Sequence, residues 1–290
     1  MPFLIAFIFL IVLLIHPWFG PDIWLHMAFG EQVFKTLSLV PADQTIMSRE
    51  GLANNNFYWL FQVISWLTYQ LGNIASHNKL DPNNSGVILV SLLLTATWCT
   101  TALLWKKHVI PQRNEWIGIP LALLAILTCQ NRFEERPEVF SYLFMILNVG
   151  VLMSWDPLQR SLKKSDWATL IAAQILWSSM HGLFFMSVAM MGLKAVCFIF
   201  DQNHNQKTPI NFKQNILLAI KSFGPVLLVL TIASMITPMG WKNWQYVLTQ
   251  GAWLQAMKNE IGEFSAPVGA HLKNWSIRFF WIYWILSLTG

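Results

Sequence analysis

The chain has 290 residues, of which 55 % are hydrophobic and only 11 % charged, and its formal net charge is +5. A water-soluble domain carries about 25 % charged residues, so an ordinary soluble enzyme is excluded, as are a disordered chain and a disulfide scaffold. A multi-span membrane protein remains. The lysines and arginines sit in short connectors between apolar runs, which reads as a topology signal and not as nucleic-acid binding. Cys99, Cys129 and Cys197 lie in or beside apolar segments without metal-ligand spacing and read as small hydrophobes.

In chain order, residues 3–16 form an apolar run with no basic residue ahead of it and no small-residue cleavage site after it. That pattern reads as an uncleaved first membrane helix. Residues 22–37 read as an amphipathic helix at the interface, inside a loop spanning 17–56. Further apolar runs at 57–74, 86–105, 116–130, 138–154, 167–180, 182–200, 215–236 and 276–290 predict an all-α, polytopic bundle of about 8–9 membrane helices. The break at Met180-His181-Gly182 reads as a tight helical hairpin. Residues 241–258 read as a second amphipathic helix within an outer segment 237–275. The whole of 1–290 is taken as a single membrane domain, and its last run stops while still apolar, as in a piece of a longer protein.

Sidedness follows from the basic connectors. Lys106, Lys107 and Arg113, then Arg160, Lys163 and Lys164, then Lys207 and Lys213 place three connectors in the cytoplasm by the positive-inside rule. Residues 131–137, the His181 turn and 237–275 then face outward. Upstream, an outward 17–56 loop followed by two full crossings would put Lys106 outside. Either 57–74 or 86–105 is therefore re-entrant or interfacial, or the 106–115 connector breaks the rule.

Four constellations carry chemistry. Pro21-Asp22-Ile23-Trp24-Leu25-His26 offers a carboxylate beside the membrane, and His26 follows Asp22 by one helical turn, so both share a face. Such an Asp is either a general base or metal ligand or a helix cap. Asn131 to Ser141 packs Arg132, Glu134, Glu135, Arg136 and Glu138 between two apolar runs. Charges at membrane depth mark a pathway or a site, and Arg136 suits bidentate phosphate binding. The alternative is a solvated loop with local ion pairs. Trp177-Ser178-Ser179-Met180-His181-Gly182 sets a histidine at a tight turn, where it needs a hydrogen-bond partner. Finally, Thr237-Pro238-Met239-Gly240-Trp241 is followed by Tyr246 and by Glu263-Phe264-Ser265-Ala266-Pro267.

In this order the four pieces resemble the bacterial polytopic glycosyltransferases of the GT-C type, which use polyprenyl-phosphate-linked sugars. One branch has D-x-W-W-H-L, R-P-x-x-F-S, W-x-N-x-H-G and N-P-x-G … E-W-x-S-P motifs. The counterparts here are Asp22 to Met27, Arg136 to Ser141, Trp177 to Gly182, and Thr237 to Gly240 with Glu263 to Pro267. Leu25, Ser179, Thr237 and Phe264 depart from that pattern, while Asp22, Arg136, His181 and Glu263 keep it. The resemblance implies an inverting transferase in the bacterial cytoplasmic membrane, acting on its outer side. Its partners would be a polyprenyl-phosphate sugar donor, membrane lipid, and a glycan, lipid or protein acceptor, with no nucleic acid.

The resemblance implies that Asp22 is the base, that Glu134 or Glu135 orients the acceptor or binds a divalent ion, and that Arg136, with His181, stabilises the leaving phosphate. His26, Glu263 and Tyr246 complete the expected substrate-binding set. No cofactor is required, and a divalent metal is compatible with the acidic residues. A lipid or solute transporter, and a non-catalytic scaffold, are the rival readings. Charges clustered in outer loops, with only Lys194 near mid-helix, suit surface chemistry better than a central pathway.

Overall fold

The structure is a computed structural model, and it describes residues 21–38, 56–75, 82–109, 124, 136–205 and 212–257. Every regular element among these residues is helical. In chain order they are α1 (Pro21–Thr36), α2 (Trp59–Ala75), α3 (Pro82–Val109), α4 (Glu138–Ser154) and α5 (Lys164–Met180). A single 3-10 turn (Gly182–Phe184) leads into α6 (Phe185–Asn205), followed by α7 (Phe212–Ala233) and α8 (Lys242–Met257). The expected helices at 3–16 and 276–290 lie outside the described residues, as does 116–130 apart from Leu124.

Three stretches are long and apolar enough to cross a membrane: Ile88–His108 in α3, Gly182–Phe200 in the 3-10 turn and α6, and Phe212–Ala233 in α7. α4 is a shorter apolar helix. Together with the composition, these helices make the chain a membrane protein. Inside them, polar side chains satisfy themselves. The hydroxyls of Thr97, Thr100, Thr101 and Thr231 each donate to a carbonyl one turn back, which removes the cost of a free hydroxyl in an apolar surround.

The chain divides into two compact units. One comprises Met1–Leu25, Thr68–Val139 and Leu248–Gly290. Within it, α2 and α3 meet closely at Gly86, where a β carbon would fall 2.6 Å from the Tyr69 carbonyl oxygen. Trp24 is exposed and sets its ring edge-on to Tyr69, 6.3 Å away.

The other unit comprises His26–Leu67 and Phe140–Val247. Here α1 lies against α2 at Gly30, and any side chain would collide with the Gln62 carbonyl, 2.1 Å from an added β carbon. α4 and α5 form an antiparallel hairpin joined by 155–163: Trp177 near the end of α5 meets Ser141 and Phe144 near the start of α4. α6 runs beside α4, held by Ser187 Oγ donating to Asn148 Oδ1 at 2.8 Å. An interhelical bond of this kind contributes about 0.6 kcal/mol in a membrane setting. α7 returns along α6, and Phe223 packs on Trp155 and Phe198 at 5.0 and 5.5 Å between ring centres. Val151, Leu162, Leu170, Met191, Ala219, Val226 and Leu230 complete this core.

α7 ends at Ala233, three residues before the expected 236. Two tighter turns, Met235 N–H to the Ile232 carbonyl and Ile236 N–H to the Ala233 carbonyl, continue the chain to Thr237. Gly240 then takes a left-handed backbone with φ +51, a conformation that favours glycine.

Candidate functional site

The start of α4 is set by its sequence. Pro137 precedes the first helical turn, where its missing N–H costs nothing, and Glu138 puts negative charge at the positive end of the helix. Arg136 is thereby fixed at the mouth of α4. In the same unit, Asp22 sits in the first turn of α1. Its Oδ2 lies 3.5 Å from Arg136 Nε, with the carboxylate side chain 52 % exposed and the guanidinium 23 % exposed. Two motifs far apart in sequence thus supply one carboxylate–guanidinium pair, with the acid turned toward the surface and the cation withdrawn behind it.

The second unit gathers the remaining described candidates. α5 ends at Met180, and His181 takes an extended backbone with φ −158 while its N–H still bonds the Trp177 carbonyl at 2.9 Å. This halts α5 and turns the imidazole back over the hairpin. Trp177 Nε1–H donates to Ser141 Oγ at 2.8 Å, and Ser141 Oγ lies 2.8 Å from His181 Nδ1. Ser141 and Trp177 are 0 % exposed. The Leu183 N–H also points at His181 Nδ1, at 3.4 Å. Burial pushes the His181 imidazole down to about 4, with the nearby positive charge of His26 as the second cause.

His26 sits on α1 one turn after Asp22. Gln62 Nε2 lies 3.4 Å from its Nδ1, and Gln62 Oε1 accepts from Asn56 Nδ2 at 2.6 Å. The His26 ring meets Phe61 and Tyr58 edge-on at 5.1 and 5.8 Å, and Tyr58 lies 5.7 Å from the His181 ring. Tyr58 therefore stands between the two histidines.

Gly182 faces Tyr246: a β carbon there would come 3.1 Å from ring Cε1. Tyr246 in turn stacks on Phe57 at 4.3 Å. Its place is thus in the packing that supports the His181 turn. Asn243 of α8 ties that packing to α5 by donating to the Ser178 carbonyl at 3.0 Å, and it donates to Thr237 Oγ1 at 3.2 Å. Trp244 Nε1–H reaches Ser234 Oγ at 2.7 Å.

Of the residues expected from sequence, Asp22 and Arg136 come together in one unit, and His26, His181 and Tyr246 gather in the other. Glu134, Glu135 and Glu263 lie outside the described residues. Among the described residues, no three His, Cys, Asp or Glu side chains converge as a cation site. Sequence reasoning missed Asn56, Tyr58, Gln62, Ser141 and Asn243 as members of the histidine cluster. Gln62 did carry a signal, as a polar side chain inside an apolar helix that must find a partner.

The chain matches no protein-family profile, no curated protein and no solved structure.

Proposed function

We propose that the chain is a multi-pass protein of the bacterial cytoplasmic membrane that transfers a sugar from a polyprenyl-phosphate donor to an envelope glycan, lipid or protein acceptor, with inversion. The Asp22–Arg136 pair, 3.5 Å apart, carries this reading. Transfer from a lipid phosphate needs a base for the acceptor hydroxyl and a cation for the phosphate it releases. Those two residue types, from the two motifs that the resemblance singles out, meet in one unit beside apolar helices.

In the proposed reaction an acceptor hydroxyl oxygen attacks the anomeric carbon as its proton passes to Asp22. The bond from the anomeric carbon to the phosphate oxygen breaks, and its electron pair leaves on the polyprenyl phosphate, opposite the Arg136 guanidinium. Asp22 then returns its proton to water. The prenyl chain stays in the bilayer, which accounts for housing such chemistry in a membrane fold. The count of eight or nine spans belongs to this proposal and rests on the apolar runs as well as on the three long helices.

The test is genetic and chemical. The native gene is deleted and restored as wild type or as Asp22→Asn, and lipid-linked sugars and envelope glycans are compared by mass spectrometry. Loss of one sugar mass, rescued by wild type and not by an inserted Asp22→Asn protein, is expected. The deficit in turnover should be about 100-fold or more, the usual worth of a general base. Rescue by Asp22→Asn overturns the base assignment. Unchanged glycans in every strain overturn the transferase reading and favour transport or scaffolding.

A further inference from the structure

We infer that Trp177 and Ser141 are positioning residues that hold His181 as the Nε2–H imidazole, so that His181 donates a hydrogen bond to an anionic substrate oxygen and does not accept a proton. An indole N–H can only donate, so Ser141 Oγ must accept from Trp177. Ser141 Oγ keeps its own proton and a second lone pair, and it lies 2.8 Å from His181 Nδ1. Leu183 N–H, which can only donate, aims at the same nitrogen, so Nδ1 is an acceptor and takes the serine proton as well. A nitrogen that receives two donors cannot carry a proton itself, so the proton of the neutral ring sits on Nε2. Ser141 and Trp177 are both fully buried, which keeps water from replacing either link.

Every hydrogen bond that the His181 ring makes among the described residues ends on Nδ1. Nε2–H is the polar group left to meet a substrate. An amide lies against the neighbouring histidine. Gln62 Oε1 accepts from Asn56, which turns Gln62 Nε2 toward His26 Nδ1. The low proton affinity of His181 supports the assignment, because its ring stays neutral at ordinary pH.

The choice of phosphate as the anion rests on the transferase reading. The tautomer does not, and its test needs no turnover. The chain contains seven histidines. Nitrogen-15 histidine spectra of the full protein in detergent micelles, with His181 assigned through His181→Gln, should show a single Nε2–H ring. An Nδ1–H ring overturns the inference. The double variant Ser141→Ala with Trp177→Phe removes both side chains of the relay, leaves no unpaired polar group between them and keeps the Leu183 N–H. It should admit the second tautomer, and an unchanged single tautomer overturns the positioning role. If the double variant fails to fold, Ser141→Ala alone, which removes the hydroxyl that meets Nδ1, is read in the same way.

A prenyl phosphate, inorganic phosphate and the matching prenyl alcohol are then added in turn. A shift at His181 Nε2 with prenyl phosphate and none with the alcohol is expected. A shift with inorganic phosphate as well identifies the headgroup as sufficient, whereas its absence identifies a lipid-borne phosphate. An equal shift with the alcohol, or none with either phosphate, overturns the donor role. Where transfer is measurable, His181→Gln keeps an N–H donor and should retain kcat/KM within about 10-fold, while His181→Ala should lose about 100-fold. Equal losses overturn the donor role.

Discussion

The two ends of the α4–α5 hairpin solve the same problem with opposite chemistry. At the joined end, Arg160 Nη1 donates to Asp166 Oδ2 at 3.0 Å and Nη2 donates to the Ser154 carbonyl at 2.6 Å. Lys194 reaches across from α6 to the Leu152 and Trp155 carbonyls and lies 5.5 Å from the centre of the Trp155 ring. Cations there cover the free carbonyls at the end of α4, where the helix dipole favours positive charge. At the open end, Trp177, Ser141 and His181 are linked without charge. The ions are affordable because Arg160 and Asp166 keep side-chain exposures of 30 % and 16 %. The neutral relay is buried, where an ion would carry a desolvation cost of several kcal/mol. Partial exposure licenses charge, and full burial at Ser141 and Trp177 favours neutral groups paired with each other.

The largest effect that tests this contrast is at Trp177. Trp177→Ala should cost about 3–5 kcal/mol through cavity formation, and it also strips Ser141 of its donor. Unfolding in detergent, followed by tryptophan fluorescence, checks this, and a loss below about 1 kcal/mol breaks the contrast.

Titration comes next. The folded His181 value, about 4, lies below the ordinary 6.5. Between those two values the unfolded chain binds a proton that the folded chain does not. Stability therefore falls as pH drops from 6.5 to about 4, by about 3 kcal/mol in all, and is flat from this group above 6.5. The joined end responds later. Burial would raise the Asp166 carboxyl, but the Arg160 bond, the Lys163 N–H bond and the charges of both residues together lower it below 3.8. Its contribution is present above that value and is lost as pH falls through the lower folded value. A stability–pH curve should show the His181 phase first, absent in His181→Gln, and the Asp166 phase below it, absent in Asp166→Asn.

At neutral pH, Asp166→Asn should cost about 1 kcal/mol, and salt should reduce that cost, as for a partly exposed ion pair. The smallest change is Lys194→Met, about 0.5–1 kcal/mol from lost carbonyl capping. It keeps the apolar stem that packs along α6. A larger cost from Lys194→Met than from Trp177→Ala would reverse the ranking of the two ends.

Most of the described fold was legible in the residues. The apolar run 138–154 is α4 residue for residue. The expected helix 22–37 became Pro21–Thr36, and 241–258 became Lys242–Met257. The break at Met180-His181-Gly182 does separate α5 from α6, but as an extended residue and a 3-10 turn. The end of α7 was misplaced because Ile236 prolongs the apolar pattern. The backbone nevertheless leaves the α-helix at Ala233, and Ser234 Oγ bonds the Thr231 carbonyl. Lys194 stood out as a charge inside an apolar run, and its ammonium is taken up by the Leu152 and Trp155 carbonyls.

The site was legible only as a list of residue types. The carboxylate at 22 also read as a helix cap, and the guanidinium at 136 as part of a solvated loop with local ion pairs, since one sequence gives no distance between them. By itself the sequence determined that this is a helical membrane protein and which segments are helices. Apolar length and the 3.6-residue period are local properties that each segment carries alone. The tertiary structure decided that Arg136 meets Asp22, that Ser141 meets both Trp177 and His181, and which ring nitrogen holds the proton. Those facts depend on hydrogen-bond direction across helices, and direction exists only once the helices are packed.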